Sequence, residues 1–476
     1  MIFSSYEFIF YFLPIVIAVY FILCKFRSSW AKIWLILASF YFYAQGSAWF
    51  LPHLAAATLF NFGAGRYLSR MQESTAAKKR LLFLGILANV LLLGYYKYTD
   101  FFIYSFNRAF SLHIPAADIL LPIGLSFLTF QLISYLVDSY RGKTGEYGFL
   151  DYLVFVAFFP RLLIGPIIRH WELMPDFFTG RSLRFNGDNF RRGLFIFSIG
   201  CAKKVLLADP LLVYTHSVFQ NPEAAAPIAL WIGMLANIMA IYFDFSGYTD
   251  MAIGLGYFFN LKLPENFDSP YRARNIQQYW RKWHMSLTRF LNEFIFNNIY
   301  KPGMGTAWFC FGIMVTFFIS GFWHGAGWTF IFWGILHGTA VCIVVLLSIY
   351  YPKKHFLPKK PAQALTLLFL MFTGALFVSR NMTDFIIAVK GMFNWQYYSA
   401  MGYSMAWAEL QIYFSENITV MAVLAICCYI VFFQKTTQEL AKDCLTNSWY
   451  PLYAAMLLVL SFFFMGTVST FFYATF

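Results

Sequence analysis

Charge is what this sequence has least of. Lysine, arginine, aspartate and glutamate make up 12% of its 476 residues, and from Pro302 to Tyr351 not one of them occurs. A composition 60% hydrophobic and 22% aromatic excludes a string of water-soluble domains. Seven cysteines are present (Cys24, Cys201, Cys310, Cys342, Cys427, Cys428, Cys444). They show no CxxC spacing and lie mostly in apolar segments, so neither a disulfide framework nor a zinc site is indicated, and they read as small core residues. HExxH and HxxxH pairs, internal repeats and low-complexity tracts are all missing.

What the sequence does have is apolar length. Stretches such as Phe8 to Cys24, Leu81 to Tyr96, Ile119 to Val137, Leu153 to Ile168, Leu194 to Leu207, Trp328 to Tyr350 and Leu452 to Phe472 recur along the chain, and about 20 such residues cross the roughly 30 Å of hydrocarbon in a bilayer. The pattern predicts an all-α integral membrane protein of ten to twelve helical elements, several too short to cross straight and therefore re-entrant. The excess of 35 basic over 22 acidic residues falls largely between apolar runs, which is the cytoplasmic bias of a multispanning protein and not a nucleic-acid surface. The N-terminal run has no basic segment before it, and Lys25 and Arg27 follow it. It is expected to be a first spanning helix with its basic end inside, not a signal peptide. Arg66 to Arg80 and Arg141 with Lys143 mark two further cytoplasmic turns, whereas the arginines between 161 and 192 are too dense to alternate sides and predict a rim of partly immersed helices. One multispanning domain over 1–476 is expected, with a core at about 118–345, C-terminal helices at about 360–476, and a long aromatic loop over 379–417.

Polar groups gather in three places. From Lys262 to Lys301, seven basic and three acidic residues accompany an apolar stripe of Trp280, Trp283, Leu287, Phe290, Leu291 and Phe294, which predicts a basic amphipathic helix at the interface with His284 on its protein-facing side. In IYFDFSGYTDMAIGLG, Asp244 and Asp250 interrupt an apolar segment. A carboxylate at membrane depth faces the bundle interior or water, in an ion pair or in a working role, and six residues apart these two share no helix face. In SGFWHGAGWTFIFWGILHG, Gly321, Gly325 and Gly327 flank Trp323 and His324, predicting a break in the helix and a histidine projecting into a cavity. His337, in a smoother run, reads as a hydrogen-bonded packing residue, with Gly334 and Gly338 serving close helix contact. These histidines admit a metal site, a proton relay in a transporter, or general base catalysis of acyl transfer. A proton-coupled transporter or flippase predicts inverted hydropathy halves with paired broken helices, which do not occur.

The segments MIFSSYEFIFYFLP, LLPIGLSFLTFQLISYLVD, YFDFSGYTDMAIGLG, ENFDSPY, YWRKWHMSLTRFL and GFWHGAGWTFIFWGILHG resemble the membrane-bound O-acyltransferase (MBOAT) family, in its alginate O-acetyltransferase subgroup with the related peptidoglycan O-acetylation and teichoic-acid D-alanylation proteins. The resemblance implies a ring of helices around a tunnel, His324 as the catalytic residue and His284 as the second functional one. Trp283, Trp323, Asp244 and Asn292 are the tunnel- or substrate-lining candidates. It further implies no tightly bound cofactor, acetyl-CoA as cytoplasmic donor, a periplasmic partner, an inner-membrane location and O-acetylation of an extracytoplasmic polysaccharide, with D-alanyl transfer as the alternative. Asn292, Glu293 and Phe294 stand where relatives carry an Arg-Asp-Tyr step, which leaves the acceptor open between alginate, peptidoglycan and another exopolysaccharide.

Overall fold

Helix after helix follows from the apolar runs, and no strand forms among the described residues. The computed structural model of the chain describes residues 1–72, 75–144, 148–178, 180–352 and 356–466; the part of the predicted Leu452–Phe472 run beyond 466 lies outside them. Six described helices are long and apolar enough to cross a membrane: α1 (Glu7–Phe26), α4 (Ala76–Phe110), α7 (Pro227–Phe258), α9 (Thr306–His324), α10 (Trp328–Tyr350) and α11 (Lys359–Val378). A bent pair, Tyr403–Glu416 with Ile418–Phe433, makes a seventh if counted as one span. Between them lie α2 (Ser28–Ser47), α3 (Leu51–Arg70), α5 (Leu125–Tyr140), α6 (Gly187–Ala202) and α8 (Met285–Leu291).

Several predicted runs are shorter than their hydropathy suggests, for local reasons. Leu153 to Ile168 stops at Ala157. Pro160 and then Gly165-Pro166 follow, and a Cβ on Gly165 would lie 2.2 Å from the Cα of Arg161, so the chain folds back on itself. Residues 119–124 precede α5 as non-helical backbone, with Gly124 at φ +80°. The predicted loop over 379–417 is instead helical, as Met382–Met392, Gln396–Met401 and Tyr403–Glu416. The first of these is started by Asn381, whose side chain accepts from the Asp384 amide at 2.9 Å, a cap that outweighs the mixed composition.

The helix most enclosed by protein is α7. Its most apolar window is 78% buried, against 28% for α1 and α4, so its hydrophobicity on all sides is that of a core helix and not of a lipid-facing one. Glycine permits the depth of its packing against antiparallel α6. A Cβ on Gly254 would lie 2.6 Å from the Gly193 carbonyl oxygen, and one on Gly200 would lie 2.6 Å from that of Gly247. Backbone meets backbone at two places seven residues apart, as small residues allow in a bilayer. Gly247→Leu is therefore expected to force the helices apart and prevent a stable fold, read as loss of the monodisperse peak in detergent. The control is Ile253→Val, one methylene smaller at a buried site of the same helix, which should cost only about 1 kcal/mol.

Two faces can be told apart. On one, the Lys78 ammonium lies 5.3 Å from the Tyr140 ring, bringing the start of α4 to the end of α5 beside Arg141. On the other, the Tyr43 hydroxyl donates to the Ile123 carbonyl at 3.0 Å, bringing the end of α2 to the start of α5. Helices α9 and α10 form a hairpin in which a Cβ on Gly334 would lie 2.4 Å from the Phe317 oxygen. The hairpin tip carries His324 and, through contacts with Lys97 and Ser126, sits toward the second face. At 1.5 Å per residue, Lys97 is about 28 Å along α4 from Lys78.

Candidate active site

The predicted amphipathic helix from Trp280 onward is broken, and the break is where His284 stands. Ile276–Trp280 ends, residues 281–284 turn, and α8 begins at Met285. His284 takes φ +44°, ψ +52°, a left-handed conformation uncommon for a residue with a Cβ. The turn is held from outside: the Met285 amide donates to the Asn266 carbonyl at 3.0 Å, the Ser286 amide to the Asn266 side chain at 3.0 Å, and the Asp268 amide to the Lys282 carbonyl at 3.0 Å. On the other flank, the Ser286 hydroxyl accepts from the Ile167 amide at 3.1 Å. The ENFDSPY segment is thus the splint that keeps a strained histidine in place, and strain of this kind persists only where the surroundings over-determine it.

The His284 ring is fully buried, edge-on to Phe245 at 4.7 Å and 6.2 Å from Phe127. Neither of its ring nitrogens has a hydrogen-bond partner among the described residues. Phe127 lies 5.2 Å from Trp323, the neighbour of His324, so one aromatic wall runs between the two histidines. His324, the last residue of α9, is 4% exposed and sits among Trp323, Trp333 and Phe377 at ring separations of 5.0, 5.2 and 5.4 Å. Its electrostatic neighbours include His284, Lys97 and His337. His337 has both nitrogens engaged, one accepting from Trp280 Nε1 at 3.2 Å and the other 3.0 Å from the Thr373 hydroxyl.

Cavities approach this centre from both faces. A space of about 390 Å³ on the basic side is edged by Arg281, Arg289, Asn292 and Glu293. It shares Trp280, Arg281, Thr288 and Asn292 with a deeper one of about 240 Å³ that reaches Thr316 and Ser320, the latter one helical turn before His324 on the same face of α9. Nearer the opposite face, a void of about 30 Å³ is lined by His324, Trp323, Lys97 and Ser126. Another, of about 40 Å³, lies between Trp283, Trp333, His337 and Phe377. Trp283, Trp323 and Asn292 therefore each line a cavity. Asp244 is fully buried in α7 with its carboxylate 2.6 Å from the Lys204 ammonium, which also meets Asp209 at 2.7 Å. Asp244→Ala is expected to cost about 2 kcal/mol by removing one of the two carboxylates that hold the buried Lys204 ammonium, lowering Tm while the surviving folded protein keeps its turnover.

Of the basic residues at the mouth, Arg289 is committed to Glu172 at 2.6 and 3.0 Å, Arg141 to Glu293 at 2.7 Å, and Arg169 to Glu293 at 3.0 Å and to Asp138. Arg281 pairs with no carboxylate among the described residues. Two contributors escape a reading of motifs, Lys97 and Phe377, because they come from helices outside 118–345; Asn266 stands in the ENFDSPY motif, but its hold on the turn acts across 20 residues and is not legible there. All seven cysteines are free thiols.

An integral membrane protein with one buried histidine lining a void, a second across an aromatic wall from it, and cavities opening from both faces is a fitting frame for acyl transfer within a bilayer, and comparison with known proteins agrees. Residues 19–357 match the model of the membrane-bound O-acyltransferase family, MBOAT. The chain is 40% identical over 420 residues to the peptidoglycan O-acetyltransferase of Helicobacter pylori, covering 82% of this chain and 80% of that one. It is 35% identical over 408 residues to the probable alginate O-acetylase AlgI of Pseudomonas aeruginosa, covering 84% and 75%. To the teichoic acid D-alanyltransferase of Bacillus subtilis it is 26% identical over 256 residues, covering 52% and 64%. The chain belongs to the membrane-bound O-acyltransferase family, and it is a multi-pass membrane acyltransferase.

Proposed function

We propose that the chain takes acetyl groups from a cytoplasmic thioester, acetyl-CoA, and passes them across an inner membrane for O-acetylation of an extracytoplasmic polysaccharide. The observation that carries this reading is the placement of His324, which lines a narrow void toward one face and stands one helical turn beyond Ser320 at the end of a wider cavity on the basic face, with His284 across an aromatic wall from it. The donor enters from the basic face, where Arg281 has its charge free for a phosphate, and its thioester reaches upward past Asn292 and Ser320. The acceptor hydroxyl arrives from the other side.

His324 then takes the proton of that hydroxyl as its oxygen bonds to the acetyl carbonyl carbon, the carbon–sulfur bond breaks, and the departing thiolate takes up a proton. His284, with its ring nitrogens uncommitted, donates a hydrogen bond to the developing oxyanion or orients the thioester. Trp283 and Trp323 close the walls and keep water from competing. Peptidoglycan is the favoured acceptor, on the higher identity to the peptidoglycan relative than to the alginate ones. A periplasmic partner protein receives the acetyl group or presents the glycan.

Loss of the gene tests the acceptor. Base-labile acetyl esters should disappear from peptidoglycan, measured by mass spectrometry of its muropeptides, and return with the native gene but not with His324→Ala. Esters lost from another exported glycan would move the acceptor there; loss of D-alanyl esters alone would move the donor; no loss from any glycan would sink the proposal.

A further inference from the structure

The end of α9 is capped by another helix. The last carbonyls of a helix have no partners within it, and at a membrane hairpin tip no bulk water is guaranteed to reach them. Here three consecutive ones are received by two adjacent residues of α4. The Tyr98 hydroxyl donates to the Phe322 carbonyl at 2.8 Å, and the Lys97 ammonium donates to those of Trp323 at 2.6 Å and His324 at 3.1 Å. The third Lys97 donor goes to the Ser126 hydroxyl at 3.3 Å, so the ammonium ties α4, α5 and the hairpin tip together. The Tyr98 ring also stacks on Phe322 at 4.1 Å.

Lys97 is 9% exposed, and no carboxylate pairs with it among the described residues. A lone ammonium at such a place is costly. Its charge is answered by the negative end of the α9 dipole, where cations are favoured, and by the three oxygens it touches. Its position is therefore set by the hairpin tip, and the tip by it.

We infer that Lys97 is a positioning residue for acyl transfer: by gripping the backbone oxygens of Trp323 and His324, it fixes the imidazole of His324 relative to His284 and to both cavities. Tyr98 supplies the adjoining part of the same cap. The inference rests on His324 being the acyl-handling group. A displacement of about 1 Å at a reacting centre is enough to lower turnover by about a hundredfold, without altering how the donor binds at the distant basic mouth.

The test is steady-state transfer of label from acetyl-CoA to enclosed peptidoglycan fragments, with the periplasmic fraction, by the full-length protein in liposomes, for Lys97→Met, Lys97→Arg, Tyr98→Phe and His324→Ala. Lys97→Met should lose about a hundredfold in kcat with KM for acetyl-CoA within about threefold of native. Lys97→Arg, which keeps a charged donor of several N–H groups, should recover to within about tenfold. Tyr98→Phe should fall severalfold in kcat alone. Native kcat in Lys97→Met, or a loss carried by KM, overturns the inference while an inactive His324→Ala leaves the proposed function standing. An active His324→Ala removes the reading on which the inference rests. If Lys97→Met does not accumulate in the membrane, Tyr98→Phe decides: reduced kcat at native KM supports the cap, and native kcat overturns it.

Discussion

His324→Ala is expected to lower acetyl transfer by about 10³-fold, within the range by which a positioned general base accelerates a reaction, while the protein still inserts and purifies as a monodisperse species. The side chain is enclosed by Trp323, Trp333 and Phe377, so truncation leaves a small void. His324→Gln fills much of that void and offers a hydrogen-bonding group without a comparable base. It should be as inactive as His324→Ala and better folded. Equal inactivity of the two at matched folding points to proton transfer, whereas activity in His324→Gln would mean that the residue serves only shape.

His284 should give the second-largest loss, and here backbone and side chain must be separated. The left-handed conformation at φ +44° is tolerated by asparagine better than by most residues with a Cβ, and it costs alanine roughly 1–2 kcal/mol. His284→Asn and His284→Ala should both lose about a hundredfold in kcat, as for a missing oxyanion donor, with His284→Asn having the higher Tm. If His284 mattered only by holding the turn between the Asn266 loop and α8, His284→Asn would keep native turnover and His284→Ala alone would fail.

Much of this site was legible in the sequence for a physical reason. Polar residues inside a bilayer are expensive, so His284, His324 and Asp244 stand out against an apolar background, and the glycines around Trp323 announce a break in the helix. The break comes after His324, with helix running through Gly321 to the histidine. The role of Asp244 was not legible, because its partner Lys204 comes from another helix, 40 residues earlier. Stripe periodicity also hid the turn at residues 281–284, which is held by hydrogen bonds from the loop around Asn266 and not by local propensity. Lys97 escaped for the same reason: in sequence it is one charge in an aromatic run, and its partners lie 226 and 227 residues away. Six described helices are both long and apolar enough to cross on their own; two of the other apolar runs, Ile119 to Val137 and Leu153 to Ile168, are cut at Gly124 and at Pro160 with Gly165-Pro166 into pieces that hydropathy alone joins.

The measurement that bears most directly on the central claim is the side of the membrane on which the acetyl group emerges. Purified protein is placed in sealed liposomes with radiolabelled acetyl-CoA outside and peptidoglycan fragments, with the periplasmic fraction, enclosed. The donor does not cross lipid unaided. Label recovered as base-labile ester on the enclosed glycan, and absent with His324→Ala, is the result expected of transfer through the protein. Label that stays outside as free acetate or unreacted thioester, while the native protein is folded and facing the donor with its basic side, would contradict it.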